Sequence, residues 1–352
     1  MKKQDLFKVL VGVILTISII SCNFKNVEKI IICFNTDTSS LSDSLKVLKS
    51  FRKMDNFFVL NYAGVYNDKT RLLQEWFNTH AENNYKPTGC SVFYTFNDAN
   101  QGFLGQNFDQ DSDVPKCGIL FGKYCPYGKY KSFSFSRIED LQTADKKGLS
   151  MSIDPSNLTD FQKSCILYFP FYAVGGINEH GLAIGIASIP SQMIIETENR
   201  NPIFVTNFTR QLLDNCRTID EAVKISQKYY LYDHSLSTIS HHILIGDSTG
   251  HSVMIEYKNG KMDYVFNNHN YQLFTNKYII DNSNENLNQC WRFKIINGRL
   301  SKSNANLNIQ DCLSVLKRVK NNTIWTVVYD LKNKQGIFTV YGSFSKQYKF
   351  GF

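Results

Sequence analysis

The sequence predicts an α+β fold in which two stacked, mostly antiparallel sheets carry helices on both outer faces, a four-layer αββα sandwich. Three observations predict it. β-like runs come in consecutive pairs joined by short polar turns, the pattern of hairpins. Amphipathic stretches are grouped between those pairs and do not alternate with single strands, which argues against a parallel sheet built from crossover units. Aromatic residues make up 14% of the chain, a supply suited to a strand-rich core.

The elements follow in order. Residues 23–40 are mostly polar and read as a tether, apart from a short apolar run at Ile30–Phe34. Leu41, Leu45 and Leu48 recur at helical spacing, and Arg71–His80, with Leu72, Leu73, Trp76 and Phe77, reads as a second helix. The stretch from Asn83 to Gly89, with Pro87, breaks that pattern, so a small helical pro-region is expected before Cys90. Cys90–Phe96, the turn Asn97–Asn100 and Gly102–Phe108 form the first hairpin. Residues 110–160 show no clear period and are expected to form long loops. Leu167–Gly175 and Leu182–Ile189 are apolar runs joined by the tight turn Ile177–Gly181. Phe204–Cys216 is amphipathic, and Thr218-Ile-Asp-Glu221 is a capping box that starts the next helix. Strands return at His242–Gly246, Ser252–Tyr257, Met262–Phe266 and Tyr271–Thr275. Helices around Trp291–Asn297 and Ile309–Lys320 precede a last strand pair, Thr323–Asp330 and Gly336–Tyr341.

Composition excludes some classes. Hydrophobic content of 43% and charged content of 20% are those of an ordinary globular protein. The net charge of +8 comes from scattered lysines with no dense basic tract, so nucleic acid is not an expected partner. Residues 1–21 read as a targeting segment. Lys2 and Lys3 precede an apolar run from Val9 to Ile20 that is short for a membrane span. The run ends in Ile19-Ile20-Ser21-Cys22, which resembles a bacterial lipobox with Cys22 as the lipidated residue. The expected location is therefore the cell envelope, lipid-anchored, facing the periplasm or at the outer membrane. Of the nine cysteines, Cys117 and Cys125 bracket a short segment and are the most plausible disulfide pair in an exported chain. Cys165, Cys216, Cys290 and Cys312 lie in or beside apolar segments and read as buried thiols. No CxxC occurs and His241-His242 lacks a ligand-like neighbour, so no metal and no cofactor is expected.

Cys90 carries the chemistry. A cysteine at a chain's N-terminus needs no separate histidine, because its α-amine (pKa about 8) can take the proton of its own thiol (pKa about 8.5) and later return it to a leaving amine. The thiolate is the nucleophile. That base exists only once the Gly89–Cys90 bond is cut, and the same thiol can attack the Gly89 carbonyl to cut it. Glycine leaves that approach open.

The run Gly105-Gln106-Asn107-Phe108-Asp109, sixteen residues beyond Cys90 at Gln106, resembles the Gly-(Arg/Gln)-Asn-x-Asp run of the N-terminal-nucleophile (Ntn) hydrolase family. That family contains choloylglycine hydrolases, penicillin V acylases, acid ceramidases and isopenicillin-N acyltransferases. Further stretches resemble it in the same order: Asn178-Glu179-His180-Gly181-Leu182-Ala183, Asp247–Gly250 with Ser252–Tyr257, Thr275-Asn276, Cys290-Trp291-Arg292-Phe293, and Thr323–Asp330. The resemblance covers most of residues 90–352 and implies an Ntn-hydrolase catalytic domain there, after the signal peptide at 1–21 and a lipidated tether and helical pro-region at 22–89.

It also implies roles. Cys90 would be nucleophile and base, Asp109 would accept from the Cys90 amine, and Asn276 would donate to the oxyanion. Arg292 would lie near the nucleophile. Gln106 stands where the bile-salt branch has arginine, and Ser188 where that branch has an asparagine at the tetrahedral intermediate. Gln106 matches the acyltransferase branch. Asn178 reads as structural in its turn. The implied activity is hydrolysis of a linear, non-peptide N-acyl amide through a Cys90 thioester. The alternatives are acyl transfer to an amine, or a catalytically inactive lipid-anchored binding protein of the same fold. The expected partners are a small N-acyl amide, with a hydrophobic acyl group suggested by Phe93, Phe103, Phe108, Phe171 and Tyr172, the membrane through Cys22, and a second copy of the chain.

Overall fold

Two sheets lie face to face with helices outside each, as expected. A computed structural model describes residues 28–32, 43–66, 89–110, 118–141, 150–195, 199–233, 236–280, 287 and 289–352. The targeting segment, Cys22, Cys33, Cys117 and the expected helix at 71–80 lie outside them. In chain order the elements are β1 (Glu28–Ile31), α1 (Asp43–Ser50), β2 (Arg52–Met54), β3 (Phe57–Gly64), β4 (Ser91–Phe96), β5 (Gly102–Asp109), β6 (Ile119–Pro126) and β7 (Ser132–Arg137). There follow α2 (Asp160–Tyr168), β8 (Gly175–Asn178), β9 (Ala183–Met193), β10 (Asn201–Phe204), α3 (Val205–Asn215), α4 (Ile219–Ser226), β11 (Tyr229–Tyr232) and β12 (Thr238–Gly246). The chain continues through β13 (Ser252–Lys258), β14 (Lys261–Phe266), β15 (Tyr271–Phe274), α5 (Trp291–Lys302), α6 (Ile309–Arg318), β16 (Thr323–Asp330), β17 (Gln335–Val340) and β18 (Ser343–Gly351).

The first sheet has the order β1-β18-β17-β16-β5-β4-β15 and the second β14-β13-β12-β9-β8-β7-β6-β3-β2. Most neighbours are antiparallel, because most come from hairpins. The core between the sheets is aromatic. Phe121 packs on Phe338, Phe135 on Trp325 and Phe133 on Phe350. Gly185 and Gly246 bring the sheets close, since a Cβ at either would strike Val92 or Tyr94 of the first sheet. Helices α5 and α6 cover the first sheet through Phe93, Phe103, Leu313 and Leu316, and α1 and α2 cover the second.

Four sequence expectations change. Residues 110–160 are not all loop, because β6 and β7 lie there. The run Ser132-Phe-Ser-Phe-Ser-Arg137 alternates with period two. Its phenylalanines meet the other sheet, while Ser132 accepts from Arg210 of α3 on the outer face. Leu167–Gly175 is the end of α2 and a 3-10 turn, not a strand; Thr159 caps that helix in a box with Gln162. The segment before Cys90 is not purely helical. β1 pairs with β18 and β3 pairs with β6, both in parallel, and Phe57, Phe58, Val59 and Leu60 are fully buried. Cys125 carries a free thiol. Residues 119–125 run as one extended strand of about 20 Å leading away from Cys117, whereas disulfide Cα atoms lie within about 7 Å.

Candidate active site

The β4–β5 hairpin builds the site. Ser91 pairs with Asn107, which places Cys90, one residue earlier, beside the end of β5. The Cys90 thiol is fully buried and lies 3.9 Å from the Asp109 carbonyl oxygen. Along β5 the side chains alternate. Gln106 reaches into the sandwich and donates to the Ile186 carbonyl at 2.9 Å. Asn107 faces the helices, donates to Leu316 O at 2.9 Å and accepts from Thr326 Oγ1 at 2.7 Å. Both hold the hairpin in place. Gln106 is fully buried in that bridge and serves as a strut between sheets.

Asp109 ends β5 in a buried position. Thr323 Oγ1 donates to its Oδ1. Burial pushes its carboxyl up to about 8, against the opposing pull of Thr323, the Arg292 guanidinium and the Asn321 backbone. Gly89 packs against this group. A side chain at Gly89 would begin 3.0 Å from Asn321 Nδ2, 3.1 Å from Asp109 Oδ2 and 3.5 Å from Arg292 Cζ. Glycine thus allows close approach here as well as access to the carbonyl.

Arg292, in the first turn of α5, is 9% exposed. Its Nη1 donates to the carbonyl oxygens of Gly89 and Cys90, and to Ser91 Oγ at 3.2 Å. Its Nη2 donates to Asn276 Oδ1 at 2.8 Å. Asn276, just past β15, donates through Nδ2 to the Ser188 carbonyl at 2.7 Å. Its amide is thus held at two points, and its second N–H has no protein acceptor among the described residues. Cys90, Asp109, Asn276 and Arg292 therefore converge. Ser188 joins them through its backbone only, because its hydroxyl pairs with His241 Nε2 at 3.3 Å.

The hydrophobic residues expected to line an acyl site do not gather here. Phe93 and Phe103 pack under α5 and α6, Phe108 stacks on Trp325, and Phe171 and Tyr172 belong to the cluster around Tyr168. Asn178 is structural, as expected: it donates to Leu213 O and Cys216 O at the end of α3 and accepts from His180 N and Leu182 N.

Sequence reasoning missed the support of the Asn276 loop. His242, fully buried, meets Thr275 O at 2.7 Å through Nε2 and Glu256 Oε1 at 3.3 Å through Nδ1. Glu256 also accepts from the backbone of Ile279 and Ile280. An acid inside the apolar strand Ser252–Tyr257 was the available signal, and weighing His241-His242 only as metal ligands hid it. Among the described residues no cluster of His, Cys, Asp or Glu could hold a metal ion. Cys290, at the N-cap of α5, is half-buried. Burial alone would raise its thiol, but Thr275 and the backbone N–H groups of Phe293 and Arg292, with the Arg292 charge, bring it below the ordinary value.

Known proteins are similar to this chain in sequence and in fold. Residues 128–342, more than half of the chain, match the family described as "Acyl-coenzyme A:6-aminopenicillanic acid acyl-transferase". A penicillin V acylase of Pectobacterium atrosepticum is 32% identical over 117 residues, 30% of each chain, so less than a third of that relative's length is matched. A single-residue variant of the conjugated bile acid hydrolase of Clostridium perfringens superposes with a TM-score of 0.50 at 15% identity, covering 72% of this chain and 89% of that one. A penicillin V acylase of Agrobacterium tumefaciens covers 71% and 83% of the two chains at 18% identity and a TM-score of 0.48. The bile acid hydrolase likeness shows a shared sandwich. With the family match across its strands and helices, the chain belongs to the acyl-coenzyme A:6-aminopenicillanic acid acyl-transferase family of Ntn linear-amide hydrolases.

Proposed function

We propose that this protein is an autoprocessed cysteine amidohydrolase that cleaves a linear N-acyl amide through a Cys90 thioester. The observation that carries the reading is Arg292 donating to the Gly89 carbonyl oxygen, with the Cys90 thiol and the Asp109 carboxyl beside the same peptide bond. In processing, Cys90 Sγ attacks the Gly89 carbonyl carbon and Arg292 stabilises the developing oxyanion. The thiol proton passes to the Cys90 nitrogen, the C–N bond breaks, and the Gly89 acyl group rests on sulfur. Asp109, held neutral below about pH 8 and lying against Gly89, can hydrogen-bond that departing nitrogen while keeping its own proton. Water then releases the Gly89 carboxylate, the thiol and a free α-amine.

In turnover the amine takes the thiol proton, and the thiolate attacks a substrate amide carbonyl. The free N–H of Asn276 donates to the tetrahedral oxygen, a contact whose loss costs roughly 3–4 kcal/mol in comparable sites. The amine protonates the leaving amine, and water hydrolyses the thioester to the acid. Penicillin V, a phenoxyacetyl amide, and conjugated bile acids are the amide types the relatives' names suggest. The family's name supports a second reading, in which an amine replaces water as acceptor.

The test pairs N-terminal sequencing with turnover of 4-nitroanilides acylated with phenoxyacetyl through dodecanoyl groups. Wild type should yield a fragment beginning Cys-Ser-Val-Phe and release nitroaniline, and Cys90→Ala should do neither. A continuous, inactive wild-type chain would leave the binding-protein alternative standing. New amide formed from an added amine would select acyl transfer.

A further inference from the structure

The outer face of the second sheet carries a hydrogen-bonded series that the mechanism above does not use. Asp233 Oδ2, with 2% of its side chain exposed, accepts from His241 Nδ1 at 2.7 Å, and His241 Nε2 meets Ser188 Oγ at 3.3 Å. A carboxylate can only accept, so Nδ1 carries a proton, and Nε2 shares a hydrogen bond with the serine hydroxyl. The same Asp233 oxygen takes the N–H and hydroxyl of Ser240, each at 2.6 Å. Gly185 faces the first sheet, so Ser188, three residues on, faces away from it. The series meets the catalytic residues at the backbone carbonyl of Ser188, which accepts from Asn276 Nδ2.

That backbone is poorly held by its neighbours. β8 pairs with β9 only at Ala183, Ile184 and Gly185, so Ser188 lies beyond the end of that ladder. On its other edge, the β9–β12 register shifts between Ile239 and His241: Gln192 is opposite Ile239, but Ser188 is opposite His241. Ser188 is thus the last regularly paired residue before a bulge. The missing ladder bonds are replaced by side chains: Asp233 takes the orphaned N–H of Ser240, and His241 grips Ser188. The freed edge of Ser188 offers its carbonyl to Asn276 Nδ2.

We propose that Asp233, His241 and Ser188 are positioning residues for the oxyanion donor, fixing the Ser188 carbonyl so that the second N–H of Asn276 points at the tetrahedral oxygen. This rests on the reading of Asn276 as that donor. An asparagine amide swings easily about its last torsion. With Oδ1 held by Arg292 and one N–H held by Ser188, the other N–H has a single direction. Losing the Ser188 anchor leaves substrate binding intact and misaims a bond made only in the transition state, so kcat falls and KM does not.

The experiment uses processed full-length enzyme and the same acyl 4-nitroanilides. Ser188→Ala, His241→Gln and Asp233→Asn should each lower kcat about tenfold, with KM within twofold of wild type and unchanged cleavage before Cys90. Ser188→Thr, which keeps the hydroxyl, should restore most of kcat. Combining His241→Gln with Asn276→Ala should lower kcat no further than Asn276→Ala alone, because the two act through one bond. Loss of kcat in Asn276→Ala with wild-type kcat in the other three overturns the positioning role alone. So does an additive double variant. An undiminished Asn276→Ala, or a wild type that turns over none of the anilides, overturns the parent reading and this proposal with it. Should Asp233→Asn fail to fold, Ser188→Ala and its threonine partner decide the matter.

Discussion

Residues on the two sides of the Gly89–Cys90 bond enter the same sheets by different geometry. After Cys90 the strands pair chiefly as hairpins, antiparallel and local in sequence. Before it, β1 and β3 pair in parallel with β18 and β6, strands that lie far along the chain. Parallel neighbours cannot be joined by a tight turn, so these strands are docked onto a frame built by the later residues. The docking is deep. Phe57 packs edge-on against Phe338 and Tyr348, and Phe58 and Leu60 share a buried cluster with Leu120 and Tyr124. Breaking the chain between the two regions removes none of those contacts. The proposed cleavage would therefore make a two-piece protein.

The largest expected effect tests that difference. Purified wild type should migrate as two fragments in denaturant but as one particle in native conditions, and the fragment carrying residues 28–66 should resist salt washing. Deleting residues 28–64 should leave insoluble protein, since it uncovers β6 and β18 as bare edges and strips the apolar cover supplied by Phe57–Leu60. A catalytic fragment that elutes alone and stays active would show that the later region stands without the earlier one.

The later region was largely legible in the sequence and the earlier one was not, for a physical reason. Hairpins announce themselves through turn residues close to alternating runs, as at Asn97–Asn100 between β4 and β5. A strand such as Phe57-Phe-Val-Leu-Asn-Tyr-Ala-Gly64, buried on both faces, is simply an apolar run; beyond the short neighbour β2, its parallel partner β6 is more than fifty residues away. The strand β18 went unread because Ser343–Gly351 mixes lysines with aromatics at a half-exposed position. The site was legible in its residue types. Its geometry was not, because Arg292 reaches Cys90, and Asn276 reaches Arg292, from positions about two hundred residues beyond Cys90. Nothing in a motif tells which carbonyl a guanidinium will find. The His241–Ser188 contact likewise depends on a bulge that only the paired strands reveal.

A smaller effect separates the chain before cleavage from the chain after it. In the intact bond the Asp109 carboxyl is buried and titrates near 8, against an ordinary value near 3.8. Between those values the folded state binds a proton that the unfolded chain has released. Stability from this group is therefore complete below about pH 4 and is lost as pH rises toward 8. Uncleaved Cys90→Ala should become easier to unfold in denaturant across that window. Asp109→Asn in the same background, which keeps an acceptor for Thr323, should flatten the slope. Cleaved wild type should also be flatter, because a new α-ammonium beside the carboxylate favours its charged form. Equal slopes in all three would remove Asp109 from the account of the cleavage site.

The smallest expected effect concerns the contact that closes the earlier region onto the later one. Just after β3, Tyr66 donates to Asp214 Oδ1 at 3.0 Å, and the buried Arg210 guanidinium lies 3.1 Å from the same oxygen. Burial pushes the Asp214 carboxyl up, and Arg210, first among the opposing groups, and Tyr66 pull it back. Arg210 also lies over the Tyr124 ring and donates to Ser132, so it is held without Tyr66. Tyr66→Phe removes one hydrogen bond to a charged group and leaves the pair formed, a loss of about 1.5–3 kcal/mol. The measurement is the denaturant concentration that separates the two fragments, which should fall while amide turnover before separation stays unchanged. If the fragments part at the wild-type concentration, this hydrogen bond adds nothing to docking, and the hold of the earlier region rests on its parallel strands and buried phenylalanines alone.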